Sequence, residues 1–418
     1  MFVRELLLHD FRSWPQASFE LQPGATVFVG RNGFGKTNLL ESLFYLATLR
    51  SHRVSADAPL VRTGSSKARV SATVENQGRE LIVDLTIAAQ GANKATINTA
   101  PVRRTREILG ILRTVLFAPE DLALVRGDPG ERRRFLDEMA VQLRPMVGGS
   151  RADYERVLRQ RAALLKTAGA ALRRSSSDAD AVMSTLDVWD AQLAQFGAEL
   201  TAARLAVVRD MNPLVAQAYS SIAPHSRPAA VEYRSAAGPE VDESPGGPDS
   251  VEEIRQVLLA KLAEVRGKEI DRGLCLMGPH RDDLLLRLGD EPAKGFASHG
   301  ESWSLALALR LASVDLLRDD GVEPVIMLDD VFAELDVKRR EKLAAFTASA
   351  EQLLITAAVP DDLPAELGGR RVLVGVSEHD GVRESVVVED SAAVDGESLR
   401  QAQAPDQKFP DPHEEVHE

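Results

Sequence analysis

Gly30, Gly35, Lys36 and Thr37 stand in "GRNGFGKT" at the spacing G-x-x-x-x-G-K-[ST], which is the spacing of a phosphate cradle. Backbone N–H groups along Gly30, Arg31, Asn32, Gly33, Phe34 and Gly35 can turn toward the phosphates of a nucleotide, and the helix that follows adds its dipole. Lys36 would neutralise phosphate charge, and the Thr37 hydroxyl would face Mg²⁺. The apolar run Ala25 to Val29 precedes the loop and "TNLLESLFYLA" follows it, so the spacing sits between a strand and a helix as it must. An ordinary glycine turn is the competing reading, and a chance match in a chain of this length is a matter of roughly one or two per cent.

Two further groups complete a reactive constellation. The buried run Val325 to Leu328 ends in Asp329 and Asp330. The first acid is placed to hold Mg²⁺ through water, the second to orient or deprotonate an attacking water. In "FASHGESWSLALALRLA", Ser298 and Gly300 open a helix and form a second phosphate-facing cap. One nucleotide does not need two such caps from one subunit. The simplest arrangement gives the second cap to the nucleotide of another copy, so that ATP joins two copies in a homodimer.

Hydrophobic rhythm locates the elements that must position these groups. Residues 1–118 alternate short apolar runs with turns ("VRELLLHDF", "ATVFVG", "RVSATVE", "LIVDLTIAA", "TVLFA") and predict strands around one helix. Residues 119–270 turn to helical spacing ("RRRFLDEMAVQL", "ADYERVLRQRAALLKTA"). The loop "AAGPEVDESPGGPDS" interrupts them and is expected to be mobile. From residue 271 the pattern returns to strands and loops. The fold class expected is α/β, with a nucleotide-binding domain assembled from residues 1–118 and 271–376, a helical arm inserted at 119–270, and a disordered acidic tail at 377–418.

Composition narrows the function. The net charge of −13 argues against a nucleic-acid partner until its distribution is read: residues 389–418 hold nine acids against two bases, so −7 of the −13 lies there. Basic residues cluster elsewhere, at Arg103, Arg104 and Arg106, at Arg132, Arg133 and Arg134, and at Arg173 and Arg174. A single cysteine, Cys275, excludes an internal disulfide framework and a four-cysteine zinc site, and a reducing cytoplasm is the default. No long apolar run suggests a membrane span or a signal-peptide core.

The loop, the capped turn, the acidic pair and the following "AELD" (Ala333 to Asp336) resemble the ATPase heads of the ABC and SMC class. Other blocks are similar to the RecF family of bacterial DNA replication and repair proteins. They are "HDFRSW", "PEDLALVRGDPGERRRFLD" at 119–137, "GPHRDDL" at 278–284 and "LDDVFAELDVKRR". In the second block Pro119, Glu120, Gly127, Pro129, Arg132, Arg133, Phe135 and Asp137 carry the likeness, which extends over residues 1–376.

The resemblance implies an ABC/SMC-like head. Gly30 to Thr37 would be Walker A, Asp329 and Asp330 Walker B, Ser298 to Ser302 a signature acting in trans, and Asp336 an aspartate at the dimer seam. It implies ATP and Mg²⁺ as cofactors, weak DNA-stimulated hydrolysis with Lys36 and Asp330 as catalytic residues, and an ATP-driven homodimer on single-strand gaps or duplex junctions. RecO and RecR are the implied partners in loading RecA. Arg53, Arg103, Arg104, Arg106, Arg132 and Arg133 are the candidate DNA contacts.

Three departures stand out. "SHGES" replaces the S-G-G-Q of the ABC pattern, Asp330 stands where transporter ATPases carry Glu, and no His follows "QLLIT", leaving Thr356 near that place without a role. Other classes fit less well. A transporter ATPase lacks its coupling features, a nuclease lacks a further acidic domain, and an SMC-type tether is opposed by Pro213, Pro224 and Pro228 in the helical zone. A clamp that binds ATP without hydrolysis is the remaining alternative. His280 is expected to bond a neighbouring carboxylate, Arg281 to pair with Asp282 and Asp283, and Trp189 and Trp303 to lie in cores.

Overall fold

The computed structural model describes residues 1–172, 176–359, 363–364, 367–379 and 382–391. It divides into two compact units, one of residues Met1–Asp121 with the stretch from Leu317 onward, the other Leu122–Leu316.

The first unit is built on two six-stranded sheets. In the first sheet, Gly24–Val29 lies between Gln352–Ala357 and Arg370–His379 and runs parallel to both. Gln352–Ala357 continues to Val325–Asp329, and that strand to Thr114–Phe117, again in parallel. Val325–Asp329 is buried at every position, because a parallel sheet covered on both faces needs an uninterrupted apolar run. The second sheet is an antiparallel meander of Trp14–Glu20, Phe2–Phe11, Lys67–Asn76, Arg79–Ala88, Lys94–Ile97 and Ala100–Pro101. Val3, Leu6, Leu8 and Phe11 turn inward from its second strand, with a register shift between Val3 and Glu5 that resets the alternation. The helix Lys36–Thr48 joins the same core through Leu39, Leu40, Leu43, Phe44 and Leu46.

The sheet extends further than its hydrophobic pattern indicates. Val382–Ser391 pairs antiparallel with Arg370–His379, so part of the expected tail is an edge strand. Its sequence, "VRESVVVE", alternates weakly, because three consecutive valines, Val386 to Val388, interrupt the polar positions. Ser385 N–H donates to Ser13 O at 2.9 Å, and Glu384 pairs with Arg62. Residues 392–418, where the rest of the expected tail falls, lie outside the described residues, as do Arg173 and Arg174.

The second unit is led by three helices, Val147–Leu172, Ser176–Ile222 and Val251–Arg272. Pro213 does not break the longest of them. Met211, Val215 and Tyr219 around it are each at most 1% exposed, and their burial outweighs the ~3 kcal/mol cost of an internal proline. Pro224 and Pro228 instead mark its exit and the start of a strand, Ala229–Arg234, that the sequence pattern does not announce. That strand pairs antiparallel with Asp283–Leu288. Residues 271–316 therefore group with the helical unit, and the return to the first unit comes at 317, not at 271. The loop 236–250 is likewise held down: Gly247 N–H donates to Ala202 O at 2.8 Å, and Gly246 sits where a Cβ would meet Ala206 N at 2.6 Å.

Buried arginines lock this unit. Arg161 reaches Asp190 at 2.5 Å from one helix and Glu269 at 2.6 Å from another, with Arg161 and Glu269 both 0% exposed. Arg204 bonds Asp137 and Pro279 O, each at 2.7 Å. His280 is structural, but its partners are Tyr154 Oη at 2.6 Å and Cys275 O at 3.3 Å, not a carboxylate. Arg281 also bonds Cys275 O, at 2.7 and 3.1 Å, in place of the expected ion pair. The neighbouring acids are engaged elsewhere, Asp282 by Tyr233 Oη at 2.5 Å and Asp283 by Arg132. Trp303 is buried and Trp189 half-buried. Among the described residues, no helix is long and apolar enough to cross a membrane.

Burial, ahead of the repulsion from Arg281, Arg133 and Arg161, lowers the His280 pKa to about 4. The unfolded chain takes up this proton near pH 6.5. Stability from His280 is therefore complete above pH 6.5 and lost as pH falls toward 4, by roughly 3 kcal/mol. Denaturant titrations of wild type and His280→Gln from pH 7.5 to 4 should show a shallower acid loss in the variant.

Candidate nucleotide site

The glycine loop links the strand Gly24–Val29 to the helix Lys36–Thr48, and three glycines have distinct reasons to be there. Gly33 and Gly35 take positive φ, 84° and 95°, a region that glycine enters without strain. Gly30 sits so close to the neighbouring strand that a Cβ would meet Val374 O at 2.3 Å. A Cβ on Gly35 would meet Ser385 Oγ at 2.2 Å and Ser13 Oγ at 2.7 Å. Ser385 belongs to the edge strand beyond residue 376, which thus walls the loop. Trp14 Nε1 donates to Gly35 O at 3.0 Å, and Asn38 Nδ2 donates to Ser13 Oγ at 2.8 Å, so the "HDFRSW" block props the loop from behind. Arg12 grips the buried Glu41 of the loop helix with bonds of 2.7 and 2.9 Å. The helix has no side-chain cap and no acid in its first turn, which leaves its N-terminal N–H groups to an anion. Arg31, Asn32 and Gly33 are exposed at the tip, with Phe34 half-buried.

Lys36 is 3% exposed, and its Nζ lies 3.4 Å from Arg31 O and from Asn32 Oδ1 and 4.0 Å from Asp330 Oδ2. Burial lowers its pKa against the pull of Asp330 and Asp329, and an arriving phosphate would relieve that cost. Thr37 Oγ1 donates to Asp329 Oδ1 at 2.9 Å across 292 residues of chain. The acid strand and the loop thus come together as the spacing predicts. Burial raises the Asp329 pKa to about 6, against the hydrogen bonds from Thr356 and Thr37. Asp330 follows in the left-handed region, φ 49° and ψ 20°, with its side chain 28% exposed.

Thr356, which the sequence leaves without a role, belongs to this centre. Its Oγ1 donates to Asp329 Oδ1 at 2.7 Å and accepts from Asp330 N–H at 2.9 Å. The available signal was its place at the end of "QLLIT", beside the acid strand. Among the described residues, no cluster of three metal-ligating side chains occurs. The Thr37 hydroxyl beside Asp329 instead fits Mg²⁺, which takes one or two protein oxygens plus water and phosphate.

The remaining candidates divide. Ser298 and Gly300 belong to the second unit. There Ser298 Oγ accepts from Glu301 N–H at 3.2 Å while Glu301 Oε2 accepts from Ser298 N–H at 2.9 Å, a reciprocal cap. Asp336 caps the helix Val337–Thr347 by accepting from Arg339 N–H at 3.0 Å. Arg103 and Arg104 are exposed and Arg106 is half-buried. Arg53 is held at the loop helix by Asn38 at 3.0 Å and Glu41 at 3.5 Å.

Arg132 corrects the sequence reading. It is 5% exposed and clasps Asp283 at 2.8 and 2.9 Å, so it cannot lie on DNA. Arg133 donates to Asp282 O at 2.7 Å. The "ERRRFLD" and "HRDD" blocks are each other's partners, because a charge withdrawn from water needs a close counter-charge.

A family model described as the RecF/RecN/SMC N terminal domain matches residues 2–382. A curated relative from Rhodococcus erythropolis, the DNA replication and repair protein RecF, is 57% identical over 396 residues, covering 93% of this chain and 97% of its own. Among solved structures, the recombination mediator protein RecF of the RecFOR pathway, in its ATP form, superposes with a TM-score of 0.78 at 24% identity. It covers 92% of this chain and 97% of its own. The Smc head domain from Pyrococcus furiosus, bound to the C-terminal domain of ScpA, gives 0.51 at 16% identity, with 93% and 96% covered. The fold is that of the RecF and SMC ATPase heads.

Arg132→Ala should cost about 3 kcal/mol in denaturant unfolding. Arg104→Ala should leave stability unchanged and, in DNA titrations, flatten the log–log salt dependence by about one unit. A chain ending at His379 lacks the Ser385 wall and should lose binding of a fluorescent ATP analogue, whereas one ending at Ser391 should keep it.

Proposed function

This chain belongs to the RecF/RecN/SMC family, and from that premise we propose that it is an ATP-switched DNA clamp of replication and recombinational repair. The observation that carries the reading is the meeting of Thr37 with Asp329 at 2.9 Å beside a buried Lys36. In this reading the loop N–H groups and Lys36 bind the β- and γ-phosphates of ATP. Thr37 and Asp329 hold Mg²⁺, which neutralises phosphate charge when bound. Asp330, at the site's exposed edge, orients the attacking water and takes up its proton. A shorter acid than the Glu of transporter heads, it reaches less far and suits slow turnover, stimulated by DNA.

Ser298 and Gly300 of a second copy complete the site, with Asp336 at the seam, so that ATP binding closes a homodimer on DNA and hydrolysis reopens it. The supports are the uncapped loop helix, which carries no first-turn acid, and the position of the second cap on a different compact unit. Family likeness extends the proposal to RecO and RecR as partners, to loading of RecA at single-strand gaps, and to a cytoplasmic setting.

Sedimentation of the purified protein with and without ATP and duplex DNA tests the switch. Wild type should shift from monomer to dimer with ATP. Asp330→Asn should remain dimeric after wild type has reverted, Lys36→Arg should lose dimerisation or turnover, and Ser298→Arg should bind nucleotide yet stay monomeric. ATP binding and dimerisation without phosphate release would identify a non-hydrolysing clamp instead.

A further inference from the structure

Thr356 uses its one hydroxyl on two adjacent carboxylate residues. It is 1% exposed and stands directly opposite Asp329 in the parallel register of Gln352–Ala357 with Val325–Asp329. A slip of one residue would put Ile355 or Ala357 there and leave Asp329 without that donor. A buried threonine with no other partner can donate to a nearby backbone carbonyl, as Thr347 does on its helix to Leu343 O at 2.9 Å. Thr356 instead donates a hydrogen bond to Asp329 Oδ1 and accepts one from Asp330 N–H. The Asp330 peptide plane is thereby fixed at the point where the backbone enters the left-handed region. A non-glycine residue holds such a conformation only where its surroundings determine it.

Resting on the ATPase reading above, we infer that Thr356 is a positioning residue for the hydrolytic step. Its hydroxyl sets the direction of the Asp330 carboxylate through the Asp330 N–H and orients Asp329 together with Thr37. One oxygen of Asp329 thus receives two hydroxyl donors, at 2.7 and 2.9 Å, and its rotation about the Cβ–Cγ bond is set from both sides. Phosphate binding rests on the loop and Lys36, whereas the Thr356 hydroxyl bonds Asp329 and Asp330. Loss of the hydroxyl therefore separates turnover from affinity.

The test measures steady-state ATP turnover, with Mg²⁺ and duplex DNA, and binding of a fluorescent ATP analogue for wild type, Thr356→Val, Thr356→Ser and Thr356→Ala. Thermal melts identify the variants that fold. The expected result is at least a ~tenfold fall in kcat for Thr356→Val with analogue affinity within about threefold of wild type, and recovery in Thr356→Ser. Should Thr356→Val not fold, Thr356→Ala must show the same split. Turnover in Thr356→Val within about twofold of wild type, or affinity and kcat falling together without rescue by serine, would overturn the inference while leaving the ATPase reading intact. Wild-type protein that binds the analogue yet releases no phosphate overturns both.

Discussion

Asp329 Oδ1 accepts a hydrogen bond from Thr37 on one side and from Thr356 on the other, and the geometry of the site depends on this shared oxygen. Asp329 and Thr356 end two adjacent parallel strands and Thr37 opens the helix after the glycine loop, and no two are neighbours in sequence. A buried carboxylate that accepts only one hydrogen bond is costly, and one that accepts two directional bonds is also immobile. Everything chemically distinctive in the site is arranged about it: the loop in front, Lys36 beside it, and Asp330 turned outward one residue later.

The helical unit is held by a different physics. Its helices carry guanidinium groups into their contacts, and each finds a carboxylate or a carbonyl there: Arg161 with Asp190 and Glu269, Arg204 with Asp137, Arg132 with Asp283. Buried pairs of this kind add little net stability compared with apolar packing, but they reject misregistered partners, since a displaced arginine would leave an unpaired charge in the interior. Blocks that look like functional signatures in the sequence, "GDPGERRRFLD" and "GPHRDD", are largely this internal scaffold. Gly278 of the second block shows the same tightness: its φ is 124°, and a Cβ would meet Tyr154 Oη at 2.5 Å.

The meeting of the loop with the acid strand was legible because the residue types and spacing match a phosphate cradle. Gly30, Gly35, Lys36 and Thr37 stand at the spacing of a phosphate cradle, and Asp329 is marked by the uninterrupted apolar run before it. Arg132 was illegible for the opposite reason. Charge in a sequence carries no sign of burial, so Arg132, clasped by Asp283 151 residues away, is indistinguishable from the exposed Arg104. The strand Ala229–Arg234 was hidden because its partner is remote in sequence and its neighbours are helical. Thr356 was hidden because its value lies in register, which no local pattern encodes. The boundary at 316 depended on both: only the pairing of Asp283–Leu288 with that strand reveals where residues 271–316 belong.

Ser385 against Gly35 has a consequence for the order of events during synthesis. The loop is made 350 residues before its wall, and the strand that leads into it has no sheet neighbours until residues 352–357 and 370–379 exist. An emerging chain therefore carries an apolar strand with both edges unpaired until more than 300 further residues have been made, the state in which strands associate wrongly. A growing chain cannot complete the glycine loop's surroundings before the sheet that frames it has closed.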